Sequence, residues 1–247
     1  MFKSLKNVAL MHQEWHDLLF LHWRIPDVLI RKHIPEELSI DHYDGSAWIG
    51  IIPFQMRKLR PTLLPAFTPI SDFVEVNLRT YVCDRQQRKG VWFFSLDTKN
   101  SLGNWIARTC FHLNYRFAYT DLHREFGTDA PYVSYGLRFP NLSYSEQGEE
   151  SFIWAHDEAS FKPSQNKNSL EYFLTERYRL FSYNYRKKQL ITGTLSHLPY
   201  ELNRPKLIAY STGLFASNGI VFNAQTPESV LACHHTQVKV FPIEVVG

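Results

Sequence analysis

The chain has 247 residues, with 27 Lys and Arg against 24 Asp and Glu, a formal charge of +3 that leaves histidine aside. At this length roughly 70–75% of the unfolded surface can be buried, so one domain spanning 1–247 with a single core is expected. The basic residues are scattered rather than gathered into the stripe of a nucleic-acid surface, and no run approaches the roughly 18–20 apolar residues of a membrane span, which excludes both partners.

The aromatic load, 18 Phe, 13 Tyr and 6 Trp against 11 Gly, favours strands. After Pro26, a short helix is expected over Asp27 to His33, ending before Pro35. The period then changes. Leu38 to Tyr43 and Ser46 to Met56 flank Asp44-Gly45, the pair that a type I′ hairpin turn favours. Asp72 to Val82 alternates, with Val74, Val76, Leu78 and Val82 on one face and Glu75, Asn77, Arg79 and Tyr81 on the other. Its expected partner is Val91 to Asp97. From an Asn100 or Ser101 cap, Leu102, Trp105, Ile106, Thr109, Cys110 and Leu113 fall at helical spacing.

Strands at Tyr115 to Tyr119 and Tyr132 to Phe139 follow, with surface loops at Ser143 to Glu150 and Ser164 to Asn168. A helix over Ser169 to Thr175 gives way near Glu176 to a hairpin of Arg177 to Tyr185 and Gln189 to His197, its tip at Arg186, Lys187 and Lys188. Leu170, Phe173, Leu174, Tyr178 and Phe181 also fit one longer helix, so both readings stand here. Gln237 to Val246 reads as a closing strand. The fold class is mostly β (α+β), with a few short helices.

The row Glu75, Asn77, Arg79 is the strongest functional candidate. One reading is an ordinary solvated strand face. The other follows from Val91-Trp92-Phe93-Phe94-Ser95-Leu96, apolar on both faces, which implies a sheet covered on both sides. Either pairing register sets an aromatic ring beside the polar row. Glu75 and Arg79 would then lie inside, where buried charges are expected to be paired.

Five segments carry a resemblance. These are Gln13-x-Trp15-x-x-Leu18-Leu19-Phe20-x-His22-Trp23, Phe73 to Val82, Gly90 to Asp97, Phe173-Leu174-Thr175-Glu176-Arg177-Tyr178, and Ser196-His197-x-Pro199-Tyr200. In this order they resemble the YqjF-like family of bacterial proteins, a family of unknown function that is similar to the acetoacetate decarboxylase superfamily. The resemblance implies an antiparallel β-barrel or cone, helices packed outside, and a cavity within. In the decarboxylases a lysine inside a Pro-Lys-Lys pattern forms a Schiff base, helped by a neighbouring lysine and a low dielectric. Laid on this chain, the pattern falls at Asn114-Tyr115-Arg116-Phe117-Ala118. Tyr115 cannot form an imine and Arg116 stays charged, so imine chemistry is not expected.

Glu75, Arg79 and Tyr115 are therefore the candidate catalytic residues, with Asn77, Ser95, Arg116, Glu176 and Arg177 as candidate ligand contacts. Arginine's fork suits a carboxylate, while a carboxylate and a phenol can handle a proton. The expected ligand is a small organic acid. Glu176 and Arg177 also read as a structural ion pair at a helix end.

Other signals point elsewhere. His12 and His16 with Glu14 between them have helical ligand spacing without the H-E-x-x-H order, and Cys233-His234-His235 has no second ligand cluster; both are read as packed or edge residues. No metal or cofactor is expected. Ser95, Asp97 and His112 lack any G-x-S-x-G elbow, which rejects a hydrolytic triad. Cys83, Cys110 and Cys233 are odd in number and widely spaced, and Met1 to Leu10 has no apolar h-region, so a cytoplasmic location is expected. Three readings stand: an enzyme working without an imine, a non-catalytic binding protein, and an oligomeric interaction protein.

Overall fold

The computed structural model describes residues 8–101, 108–109, 111–125, 131–140, 149–155, 157 and 159–246, with backbone alone at 68, 69 and 164. The helical stripe from Leu102 to Cys110 lies largely outside the described residues, as do most of the loop before Glu150 and the chain's last residue.

Strand β1 (Met11–Ile25) opens the described chain and is followed by the expected helix, Asp27–Ile30, continued as a 3-10 turn over Arg31–His33. β2 (Leu38–Ile40) and β3 (Ala47–Pro61) flank Asp44 and Gly45, whose φ of 50° and 70° match a type I′ turn. The hairpin itself shrinks to one bridge, Tyr43 to Ser46. β2 pairs instead with β4 (Phe73–Asp84), because Leu38 opposite Asp84 lets that short strand cover β4's end. β5 (Lys89–Thr98) is β4's antiparallel partner, as the alternation required. β6 (Tyr115–Phe117) runs parallel to β5, and Ala118 separates it from β7 (Tyr119–Glu125).

β8 (Tyr132–Arg138), β9 (Glu150–Ala155) and β10 (Ser160–Phe161) follow. The helix Leu170–Thr175 is capped by the Ser169 side chain, which accepts from Tyr172 N, and ends where expected. β11 (Arg179–Asn184) and β12 (Gln189–His197) form the expected hairpin, with the switch from helix to strand at Glu176. β13 (Leu202–Asn203), β14 (Lys206–Ala209), a short helix over Gly213–Ser217, β15 (Ser229–Val240) and β16 (Glu244–Val245) complete the described chain. The closing strand thus begins eight residues before the expected Gln237 and ends at Val240 rather than Val246, with only the two-residue β16 beyond it.

The main sheet runs β15-β1-β3-β4-β5-β11-β12, and β12 pairs again with β15 through Leu195 opposite Val240. The hydrogen-bonded path therefore returns on itself, with the β5–β11 step parallel. A second sheet, β14-β9-β8-β7, packs on the outside. Its Val133, Tyr135, Leu137, Phe152 and Trp154 share a core with Leu19, Leu21 and Trp23 of β1 and with Val74, Val76 and Leu78 of β4. At about 25 cal/mol per Å2 of apolar surface, each such fully buried ring or aliphatic chain contributes roughly 1.5–3 kcal/mol before entropy is counted.

β4 is consequently buried along its whole length. Its even positions meet the outer core, while its odd positions face the inside of the ring. A second cluster lies on that inner side and contains Leu18, Phe20, Ile52, Phe54, Phe73, Tyr200 and Leu231. β1 changes faces at Asp17, which has φ 48° and marks a register shift against β3. Trp15 and Leu18 therefore both reach the inner side.

Candidate functional site

Within the ring lies a cavity of about 300 Å3 lined by the odd side of β4 at Phe73, Glu75, Asn77 and Arg79. The inward turn of this row is what β4's period-two pattern predicts once both sheet faces are covered. Its exposure is 2% at Glu75, 5% at Asn77 and 8% at Arg79. β5 supplies the opposing wall through a bulge: Ser95 lies opposite Leu78 and Phe93 opposite Arg79, with Phe94 as the extra residue. Leu96 and Phe93 both face the cavity as a result, while Phe94 joins the outer core.

β6 lies parallel to β5, with Tyr115 opposite Leu96. This brings the Tyr115 hydroxyl to 2.9 Å from Glu75 Oε2, to which it donates. The rest of the wall is largely apolar, including Trp15, Phe20, Phe54, Phe111, Leu113 and Tyr200, and no lysine is among its described lining residues. Burial in this setting pushes the Glu75 carboxyl up to about 7; the charge of Asp97 adds to the rise, while hydrogen bonds from Tyr115 and Asn77 oppose it. Burial, reinforced by Glu75, holds the Tyr115 phenol well above its ordinary value, so it stays a proton donor.

Arg79 has a different environment. One terminal nitrogen, Nη2, donates to the Leu174 carbonyl at 2.9 Å and lies 3.4 Å from the Tyr81 hydroxyl. Its Nε and the Asn77 Oδ1 have no hydrogen-bond partner among the described residues, and no described carboxylate lies within ion-pair distance of the guanidinium. The expectation that Glu75 and Arg79 pair is therefore corrected. Four positions along a strand separate two Cα atoms by roughly 13 Å, too far for a direct bridge.

The other candidates divide. Arg177 lines the cavity but is held by Asp41, at 2.8 Å, and by the Phe173 carbonyl at 2.7 Å, with its guanidinium over the Phe173 ring. Glu176 does not pair with it: this carboxylate accepts from Tyr200 N at 3.0 Å and from the Tyr178 hydroxyl. The two find different partners because Glu176 caps the helix end and the chain turns sharply there, Arg177 N donating back to the Thr175 carbonyl at 2.8 Å. Ser95 and Arg116 leave the site altogether. Ser95 shares Leu78's register position on the outer side, where it donates to Asp97 at 2.8 Å. Arg116 closes that network with a bidentate pair to Asp97, 2.6 Å and 3.0 Å, and borders a separate open cleft of about 1450 Å3.

Behind Arg79, His22 Nε2 lies 2.6 Å from the Tyr81 hydroxyl, which itself donates to the Leu174 carbonyl at 2.7 Å. The hydroxyl's proton is thus committed to Leu174, which leaves His22 Nε2 as the donor to Tyr81. Burial first, and then the Arg79 charge, hold the pKa of the His22 ring well below the ordinary value. Gly50 makes room for this ring, since a Cβ there would come within 2.6 Å of it. Sequence reasoning assigned no role to His22, Tyr81, Trp15, Phe20 or Tyr200, although the resembling segments contain all of them.

Residues 12–237 match the model of a family described as an uncharacterized conserved protein (COG2071). The chain belongs to this family, DUF2071. It is similar to YqjF of Bacillus subtilis (strain 168), with 35% identity over 231 residues, 94% of this chain and 89% of that protein. Among solved structures it is similar to acetoacetate decarboxylase from Legionella pneumophila subsp. pneumophila str. Philadelphia 1, with TM-score 0.67, 10% identity, and 100% and 91% of the two chains covered. It is also similar to an acetoacetate decarboxylase-like enzyme from Sphingomonas wittichii RW1, with TM-score 0.66, 11% identity and 98% and 95% coverage. The enduracididine biosynthesis enzyme MppR complexed with pyruvate gives TM-score 0.65, 10% identity and 96% and 90% coverage. At such identities these likenesses establish the fold alone. The family and fold that the five segments implied are both borne out. No described helix is long and apolar enough to cross a membrane.

Proposed function

We propose that this chain binds a small organic acid with an apolar body in the cavity, its carboxylate on Arg79, and that Glu75 and Tyr115 move a proton on the bound molecule. The observation that carries the reading is Arg79: a residue 8% exposed, in a mostly apolar cavity, with its buried Nε unpartnered and no carboxylate within reach among the described residues. A buried charge without a counter-charge is costly, and a ligand anion supplies one. The fork geometry of arginine favours a carboxylate.

Glu75 lies two positions along the same face from Asn77 and four from Arg79, so a ligand held at Arg79 extends past Asn77 toward the carboxyl. A carboxyl titrating near 7 can accept or return a proton at neutral pH, while Tyr115 donates a hydrogen bond. Imine chemistry has no amine in the described lining, which separates this reading from that of the Schiff-base decarboxylases. MppR complexed with pyruvate is a case of a small acid bound by a protein of similar fold, which is in keeping with this reading.

The test is a thermal-shift panel of small monocarboxylates, from pyruvate and acetoacetate to hexanoate and phenylacetate, on wild type and Arg79→Met. A ligand at a hundred times its dissociation constant stabilises by about 2.7 kcal/mol. The expected result is a shift with acids carrying an apolar tail, absent in Arg79→Met. Equal shifts in both proteins would remove Arg79 from the site. Turnover of the stabilising acid, lost in Glu75→Gln, distinguishes an enzyme from a binding protein, and borohydride with a β-keto acid is expected to leave no adduct.

A further inference from the structure

On the outer side of the ring, β1 and β15 bring three ligating side chains together. His16 and His235 are directly opposed in the β1–β15 register, and Glu14 lies two residues before His16 on the same strand face. Trp15, between them, faces the cavity, so this cluster is on the opposite side of the sheet and separate from it. His16 Nε2 is 3.3 Å from Glu14 Oε2, and His235 Nε2 is 3.9 Å from the same oxygen. One ligand atom from each residue lies within 4.8 Å of the others, and the imidazole centroids are 4.5 Å apart.

We propose that Glu14, His16 and His235 form a binding site for a divalent transition-metal ion, with zinc as the first candidate. Ligands at about 2.0–2.1 Å in a tetrahedral shell are about 3.3–3.4 Å from one another, and the two separations to Glu14 Oε2 fall at or just beyond that value. Two imidazoles and one carboxylate suit zinc and its first-row neighbours rather than calcium or magnesium, which prefer an oxygen shell. The carboxylate is already oriented: Lys58 Nζ holds Oε1 at 3.0 Å and leaves Oε2 turned toward both rings. Glu14 and His16 are 18% and 22% exposed and His235 is 42% exposed, so an ion can enter and keep water in its remaining position.

The helical spacing of His12 and His16 is irrelevant here, because both are on a strand and His12 is opposite Lys239, away from the cluster. The partner of His16 comes from 219 residues further along the chain, at His235, a juxtaposition that only the sheet register creates.

The test is calorimetric titration of chelator-treated full-length protein with Zn2+, alongside visible absorption on loading Co2+, for wild type, His16→Ala and His235→Ala. Wild type is expected to bind one ion at this site. Each variant is expected to lose more than the roughly 10- to 100-fold that removal of an outer-sphere partner costs. Apo-protein melting curves report whether the variants fold, independently of the metal. No zinc binding by folded wild type, or equal binding by either folded variant, overturns the site. Because the readout is metal binding rather than any ligand of the cavity, its failure leaves the proposed function standing.

Discussion

Replacing Glu75 by glutamine tests the environment of the cavity without any ligand. The folded carboxyl titrates near 7 against an ordinary value of 4.5, chiefly because burial disfavours its charged form. Below about pH 4.5 the group is protonated in both states and contributes no pH dependence. As pH rises toward 7 the unfolded chain releases this proton while the folded chain keeps it, so stability falls, and the loss levels off above 7. At about 1.4 kcal/mol per pH unit the full loss is about 3 kcal/mol, of which about 2.5 kcal/mol falls between pH 5 and pH 8. The glutamine side chain of Glu75→Gln cannot ionise, and its carbonyl can still accept from Tyr115. Urea unfolding of both proteins at intervals from pH 5 to 8 gives the difference curve, in which titrations common to both cancel. The variant is expected to gain steadily on wild type across this range. Parallel curves would mean that Glu75 is hydrated or ion-paired, and the account of a dry cavity would fail.

Two further predictions concern the frame around the site. Arg116→Ala leaves Asp97, whose side chain has no exposure, without its bidentate partner and is expected to cost about 3–5 kcal/mol in chemical denaturation. A paired Asp97→Asn, Arg116→Met change is expected to cost less, because it removes the stranded charge. Gly50→Ala places a methyl within 2.6 Å of the His22 ring and is expected to lower stability by about 1–3 kcal/mol. If the ring moves to make room, the hydrogen bond to Tyr81 breaks, which a change in the His22 ring resonances in NMR spectra would report.

How far the sequence could be read depended on whether the deciding contact was local. The two faces of β4 were legible, because alternation over Phe73 to Val82 is a property of one strand. The turn at Asp44-Gly45 was legible for the same reason, through the backbone φ values it needs. The pairing of β2 was not, since nothing in Leu38 to Ile40 distinguishes β3 from β4 as a partner. β1 was hidden by its own irregularity: the bulge at Asp17 breaks the alternation, and beyond Leu18 both faces are buried, so period two fades. Tyr115 reached the candidate site through a family resemblance, and its hydrogen bond to Glu75 depends on the parallel placement of β6 beside β5. Ser95 was misplaced by the bulge at Phe94, which puts Phe94 and Ser95 together on the outer side of β5, and Arg116 by the alternation of β6, which turns it outward beside Asp97 when Tyr115 faces the cavity.

Two ionisable groups on one strand face meet the same apolar surroundings in different ways. A carboxyl can escape the cost of burial by holding its proton, and Glu75 does so up to about pH 7. A guanidinium has no such route, because it remains protonated at any pH a protein experiences. A lysine in the position of Arg79 could shed its proton and become a nucleophile, as the Schiff-base enzymes require. Arginine fixes the opposite outcome, a permanent positive charge in a cavity whose carboxyl is at least partly neutral near pH 7. On the proposed reading, the chain thus keeps the decarboxylase-like architecture with Tyr115 and Arg116 where the resemblance places the lysines, and uses Arg79, on a different strand, as an anion anchor. An acid bound at Arg79 would also bring negative charge toward Glu75 and favour its protonated form still further, so that holding the ligand and holding the proton support each other.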